Sequence, residues 1–272
     1  MNYKIFFVLM VLCSLMGCES TKSGMGRILP TQEFEHPAWY NEPLVTGDVC
    51  DTFTYDNVNS FLSSYEQEQQ NLEKNSKEIK IQKMANSYTM ASLLINRSQL
   101  CLCEALKLKN TTDDIEKEKQ ILLSGTSLSK NQIEMHREIS NSISQKIIEA
   151  SEQSKTLKEE QKRSFTLGSG IYLLGNYQTQ KVSKSVLNYL AKVAEDLSFD
   201  NKSTSEFPLP SLEILREKYS ATYGAAKIIN NIGSGIETHM LKTAETGQYL
   251  YLYSQKQNLD LPSDTSAYID FD

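Results

Sequence analysis

From Val58 onward the apolar residues of this chain recur at three- and four-residue steps, the period of an α-helix with one face turned to a core. Val58, Phe61, Leu62, Tyr65, Leu72 and Ile79 form a first stripe. Ile81, Met84, Tyr88, Ala91, Ile95, Leu102 and Ala105 form a second, and Ile79 and Ile81 stand about 200° apart on a helical wheel. No proline or glycine separates the stripes, so the pattern predicts a helix that changes partners midway rather than one that bends. The run from Leu100 to Leu108 is apolar nearly all round and predicts the most buried part of the body.

Asn110-Thr111-Thr112-Asp113-Asp114 interrupts the pattern and supplies an N-cap and first-turn acids for the next helix. From Ser129 to about Arg163, the residues Ile133, His136, Ile139, Ile143, Ile147, Ala150, Ser154 and Leu157 mark one narrow seam on a single long helix. Ser164 to Gln180 carries no charge and predicts a buried segment, after which Val182, Val186, Leu190, Val193 and Leu197 resume the stripe. Beyond a loop at Ser198–Ser211, apolar or small residues step by three or four from Leu212 to Tyr251, which predicts one rod of roughly 60 Å at 1.5 Å per residue. A strand period of two is sustained nowhere. The expected fold is therefore all-α, an elongated antiparallel bundle of about five helices, several very long, with little or no sheet. The body spans 53–258, preceded by a tether over 18–52 that holds three prolines and the Trp39-Tyr40 pair, and followed by an acidic tail over 259–272.

Leu167-Gly168-Ser169-Gly170-Ile171 is echoed by Ile232-Gly233-Ser234-Gly235-Ile236. Phosphate-binding loops place such glycines between a strand and a helix N-terminus, whereas both copies here sit inside helical patterns. The expectation is a close helix crossing in which Gly168 and Gly170 face Gly233, Gly235 or Ala226, as small residues do in packed helix pairs.

The formal net charge is −6, with 28 Lys and Arg against 34 Asp and Glu. No basic patch interleaved with aromatics occurs, so nucleic acid is excluded as an expected partner. His36 follows Glu33 at a Glu-x-x-His spacing, but His136 and His239 have isoleucine three positions before them, so the paired motif of a di-iron site is missing. His136 is expected as a satisfied core residue. No hydrolase or metalloprotease motif occurs. The reading is a non-enzyme with no catalytic residue, no metal and no cofactor.

The chain begins with Lys4, an apolar run from Ile5 to Leu12 too short for a stable transmembrane helix, and then Leu15-Met16-Gly17-Cys18. This stretch resembles the signal peptide and lipobox of bacterial lipoproteins, with Met16 standing where a smaller residue is usual. The resemblance implies cleavage after Gly17, so that 1–17 is removed, and acylation of Cys18, which anchors the chain in a membrane. Glu19, where inner-membrane lipoproteins of Gram-negative bacteria tend to carry aspartate, implies the outer membrane. Export permits disulfides. Cys101 and Cys103 point about 200° apart on a helix and cannot readily bond each other. Cys50 pairs with Cys101 or with Cys103, leaving one thiol free, or all three remain buried and unpaired. The functional expectation is a membrane-anchored scaffold or interaction protein of the cell envelope with a protein partner. The competing expectation is a pore-forming-like bundle that rearranges at its uncharged, glycine-containing helices.

Overall fold

A computed structural model describes Cys50, Val58, Ser60 and residues 62–67, 77–124, 128–154, 156–196, 223–262 and 265. Residues 62–67 are helical, and six helices with described bounds follow: α1 (Lys77–Ala105), α2 (Thr112–Leu123), α3 (Lys130–Gln153), α4 (Glu159–Asp196), α5 (Tyr223–Gly233) and α6 (Ile236–Lys256). No strand occurs among the described residues, and the helices pack on one another as a bundle. The leader, most of the tether including Cys18, Glu33 and His36, the loop around Pro208 and residues 68–76, where the change of partners is expected, lie outside the described residues.

The axis of the bundle is the antiparallel pair α1 and α4. A Cβ added at Gly168 of α4 would lie 2.8 Å from Leu102 Cγ and 3.1 Å from the Ser98 carbonyl oxygen. One at Gly175, two turns on, would lie 2.9 Å from Ile95 Cγ1. The uncharged segment is buried without interruption from Gly168 to Asn176, because its glycines let the two backbones approach. α6 runs antiparallel to α4, with the Phe165 and Tyr253 rings 5.2 Å apart and Gly247 against Leu173 and Asn176. No helix among the described residues is long and apolar enough to cross a membrane.

Two apolar clusters fill the bundle. One holds Cys50, Val58, Leu62, Tyr65, α1 residues from Ile81 to Cys101 and Ile133 of α3, together with Val182, Val186, Leu190, Ile229, Ile232 and Ile236. The other gathers Leu102, Ile115, Ile143, Ile147, Leu157, Phe165, Leu250 and Tyr253. Cys50, placed at the end of the tether by sequence, is thus already part of the core and is 1% exposed. The tail also returns to the body in part, since Leu259 packs on the second cluster and Thr265 is buried.

Two expected rods are broken. The seam from Ser129 to Arg163 is divided between α3 and α4, and Leu157 lies in the connection rather than on a helix face. Distant side chains satisfy the backbone groups freed there: Tyr253 Oη donates to the Ser154 carbonyl at 3.0 Å, and the Leu157 amide donates to Gln257 Oε1 at 3.1 Å. The rod from Leu212 to Tyr251 is interrupted at Ser234-Gly235, where Gly235 adopts φ 71°, a left-handed conformation that an L side chain takes only with strain.

Candidate functional site: a buried proton-sharing cluster

The middle turns of α1, α2, α3 and α6 carry polar side chains at buried positions. On α1 the i, i+4 spacing of Tyr88, Ser92 and Asn96 puts them on one face, with Gln99 one turn on. On α2, Glu118 stands between Ile115 and Leu122 on the buried stripe. On α3, His136, Ser140 and Ser144 share a face with Arg137 beside them. His239 arrives from α6. Glu118 is 0% exposed, His136 1%, His239 2% and Arg137 6%, so these groups meet one another instead of water.

Glu118 Oε1 lies 2.8 Å from His136 Nδ1, and Glu118 Oε2 accepts from Asn96 Nδ2 at 2.7 Å. His136 Nε2 lies 3.0 Å from Tyr88 Oη and 3.3 Å from Ser92 Oγ. Arg137 Nε donates to the same Tyr88 oxygen at 3.0 Å. The other arms of the guanidinium donate to the Ile232 carbonyl, at 2.5 Å, and to the Ser234 carbonyl. Arg137 therefore caps the C-terminus of α5 at the α5–α6 break, where the helix dipole is negative.

Burial pushes the Glu118 carboxyl up to about 8, against the pull of Asn96, Ser140 and Arg97, and pushes the His136 imidazole down to about 3, with Arg137 acting in the same direction. Both groups are driven towards neutrality, because neither charge is solvated here. At neutral pH one proton lies on the Oε1–Nδ1 axis. His136 Nε2–H then donates to Tyr88 Oη. His239, its ring 5.6 Å from that of His136, is held neutral first by burial, then by its coupling to His136, since two adjacent imidazoles cannot both take a proton, and by the positive fields of Arg137 and Lys242. The cluster can hold a proton out of water and orient Arg137. Among the described residues, no group of three or more metal-ligating side chains occurs.

The residues singled out in the sequence fall elsewhere. Cys50 and Cys101 form a disulfide, and Cys103 is free and buried, its thiol pushed up to about 11 chiefly by burial. Cys101 and Cys103 belong to different apolar clusters, as their opposed directions on α1 require. The glycine crossing is a correction. Gly168 packs on Leu102 and Ser98 of α1, and Gly170 is buried within the same unbroken helix. Gly233 ends α5, Ala226 lies in α5, and Gly235 begins α6. Because α6 meets α4 through the pairs Tyr253–Phe165 and Gly247–Asn176, Gly233 is about 20 Å of helix removed from the position facing Gly168. One Gly-Ser-Gly thus permits close packing and its echo breaks a helix. Sequence reasoning passed over Glu118, Arg137 and His239. The available signal was Glu118 itself, a carboxylate at i+3 from Ile115 and i−4 from Leu122.

No protein family, no curated protein and no solved structure matches this chain.

Proposed function

We propose that the protein is an exported, lipid-anchored helical scaffold of the bacterial cell envelope, held in the outer membrane through Cys18 and presenting its body to a protein partner. The observation that carries this reading is the Cys50–Cys101 disulfide. Such bonds persist in oxidising compartments outside the cytoplasm, and this one staples the chain emerging from the lipobox to the most buried stretch of α1. At about 3.5 Å per residue, the 32 residues from Cys18 to Cys50 can span at most on the order of 110 Å, which bounds how far the body can stand from a membrane that holds Cys18.

The surface supports an interaction role over catalysis. Glu118, His136 and His239, the charged-type side chains whose protonation the core alters most, are sealed inside the bundle. Leu241 and Leu252, 59% and 56% exposed, lie three helical turns apart on one face of α6 among polar residues. Single exposed leucines are ordinary, and this pair on a rigid helix is the apolar contact offered to a partner. The test is photo-crosslinking in intact cells from Leu241 and Leu252, with Glu149 on α3 as control. A discrete adduct from α6 in the membrane fraction, lost when Cys18→Ser releases the protein, is expected. An identical adduct pattern from Glu149, or no adduct from either leucine, contradicts the scaffold reading.

A further inference from the structure

The seam between α4 and α6 gathers buried polar atoms that find no hydrogen-bond partner among the described residues. Both ring nitrogens of His239 are among them, as are Nδ2 and Oδ1 of Asn176 and Nε2 of Gln180. His239 is 2% exposed and Asn176 0%. The helix register brings them together. Gly247 lies against Asn176, Thr243 is one turn before Gly247, and His239 one turn before that, while Gln180 follows Asn176 by one turn in the antiparallel direction. By register Asn176 and Gln180 occupy consecutive turns of α4 along the stretch of α6 that carries His239, whose ring also meets His136 of α3 at 5.6 Å, and the apolar contacts of Phe165 with Tyr253 and of Ile236 flank this stretch. Thr243 and Thr246 on the same stretch donate their hydroxyl hydrogens to the Met240 and Lys242 carbonyls, which leaves oxygen lone pairs to accept.

We propose that this seam is a binding site for a short file of internal water molecules that bridges Asn176, Gln180 and His239. The donor and acceptor inventory selects the occupant. Neutral His239 offers one donor and one acceptor, Asn176 offers both kinds, and Gln180 Nε2 offers donors. Only a ligand that donates and accepts equally satisfies them all; an anion leaves the acceptors facing negative charge, and a cation leaves the donors facing positive charge. Buried polar groups left by the protein are characteristically met by water with two to four such partners. Gly247 contributes by having no side chain, since a Cβ there would lie 3.1 Å from Asn176 Nδ2 and cover the amide. The site also explains how a histidine whose ring nitrogens find no hydrogen-bond partner in the protein is retained in the core. Water can satisfy both of its ring nitrogens without a charge.

Magnetic relaxation dispersion of water oxygen-17, recorded on the whole chain, reports waters that stay buried far longer than surface ones. The double variant Asn176→Leu and His239→Leu removes the polar walls and is expected to lower the dispersion amplitude by about two water molecules, with helicity by circular dichroism unchanged. Ser185→Ala, an exposed position of α4, is expected to leave the amplitude unchanged. An unaltered amplitude in a double variant that keeps its helicity overturns the proposal. Should the double variant lose its helical signal, a high-resolution crystal structure of the unsubstituted chain decides. Ordered water within hydrogen-bond distance of His239 and Asn176 supports the site, and a dry seam refutes it.

Discussion

Replacing Glu118 by glutamine imitates the protonated carboxyl that the core selects, and removes the proton that stability depends on. The folded carboxyl titrates at about 8 against 4.5 when unfolded, so its contribution is complete below pH 4.5 and is lost as pH rises towards 8. His136 has the opposite sign. Its folded value of about 3 against 6.5 gives a contribution complete above pH 6.5 and lost as pH falls, and His239 behaves likewise. Between about pH 6.5 and 8 only the folded carboxyl holds an extra proton, so the native chain should lose about 1.4 kcal/mol per pH unit, or about 2 kcal/mol across the interval. Between about 4.5 and 6.5 the unfolded chain holds two extra histidine protons against one on folded Glu118, and stability should rise with pH at the same slope. These three groups place the optimum near pH 6.5. In Glu118→Gln the amide can donate to His136 Nδ1 and accept from Asn96. The variant should match the native chain near pH 4.5, be about 3 kcal/mol more stable at pH 6.5, stay flat from there to pH 8, and be about twice as steep as the native chain on the acid side. Urea unfolding at pH 5, 6.5 and 8, followed by circular dichroism, reads all three slopes. A variant with the native alkaline slope, or one several kcal/mol less stable at pH 6.5, would refute proton sharing at this site.

Arg137→Gln should cost about 3 kcal/mol, because it withdraws charge-assisted bonds from the Ile232 and Ser234 carbonyls. Arg137→Lys should recover only part of this in chemical denaturation, since an ammonium cannot reproduce the fork. Cys50→Ser should destabilise by up to about 4 kcal/mol, the chain-entropy value for a bridge between residues 51 apart, with an equal effect from reductant on the unsubstituted chain. Gly168→Leu should cost more than about 3 kcal/mol as the side chain drives α4 from Leu102 and the Ser98 carbonyl, and thermal melting should show that loss. Gly235→Ala should cost about 1 kcal/mol through its left-handed backbone, although the nearest heavy atom is 3.4 Å from the added Cβ.

Helix class, the burial of the uncharged segment and the density of packing near Cys101 were legible because they depend on local period and composition. The breaks were not. Ser154 and residues 156–158 depart from helix in a stretch without proline or glycine, and what sustains the departure is Tyr253 and Gln257, about 100 residues away. The same holds at Ser234-Gly235, where the glycine permits the turn but Arg137 holds it. The glycine echo was misread because spacing cannot name a partner; Gly168 suits a close approach and Gly235 a left-handed backbone, and neither says against what. The cluster was hidden for a related reason. Glu118 and Arg137 look like surface residues in sequence, and only the convergence of four helices leaves them neutralised or capped in the interior. His136 was visible on its seam, whereas its partners on α1 and α2 were not.

The proposed anchoring through Cys18 is tested most directly at the amino terminus of the protein isolated from cells. Mass spectrometry of the protein extracted from membranes is predicted to find Cys18 as the first residue, carrying diacylglycerol on sulfur and an acyl group on nitrogen, with Cys50 and Cys101 oxidised. Recovery of an unmodified Cys18 within a continuous peptide containing Met16 and Gly17 would contradict it.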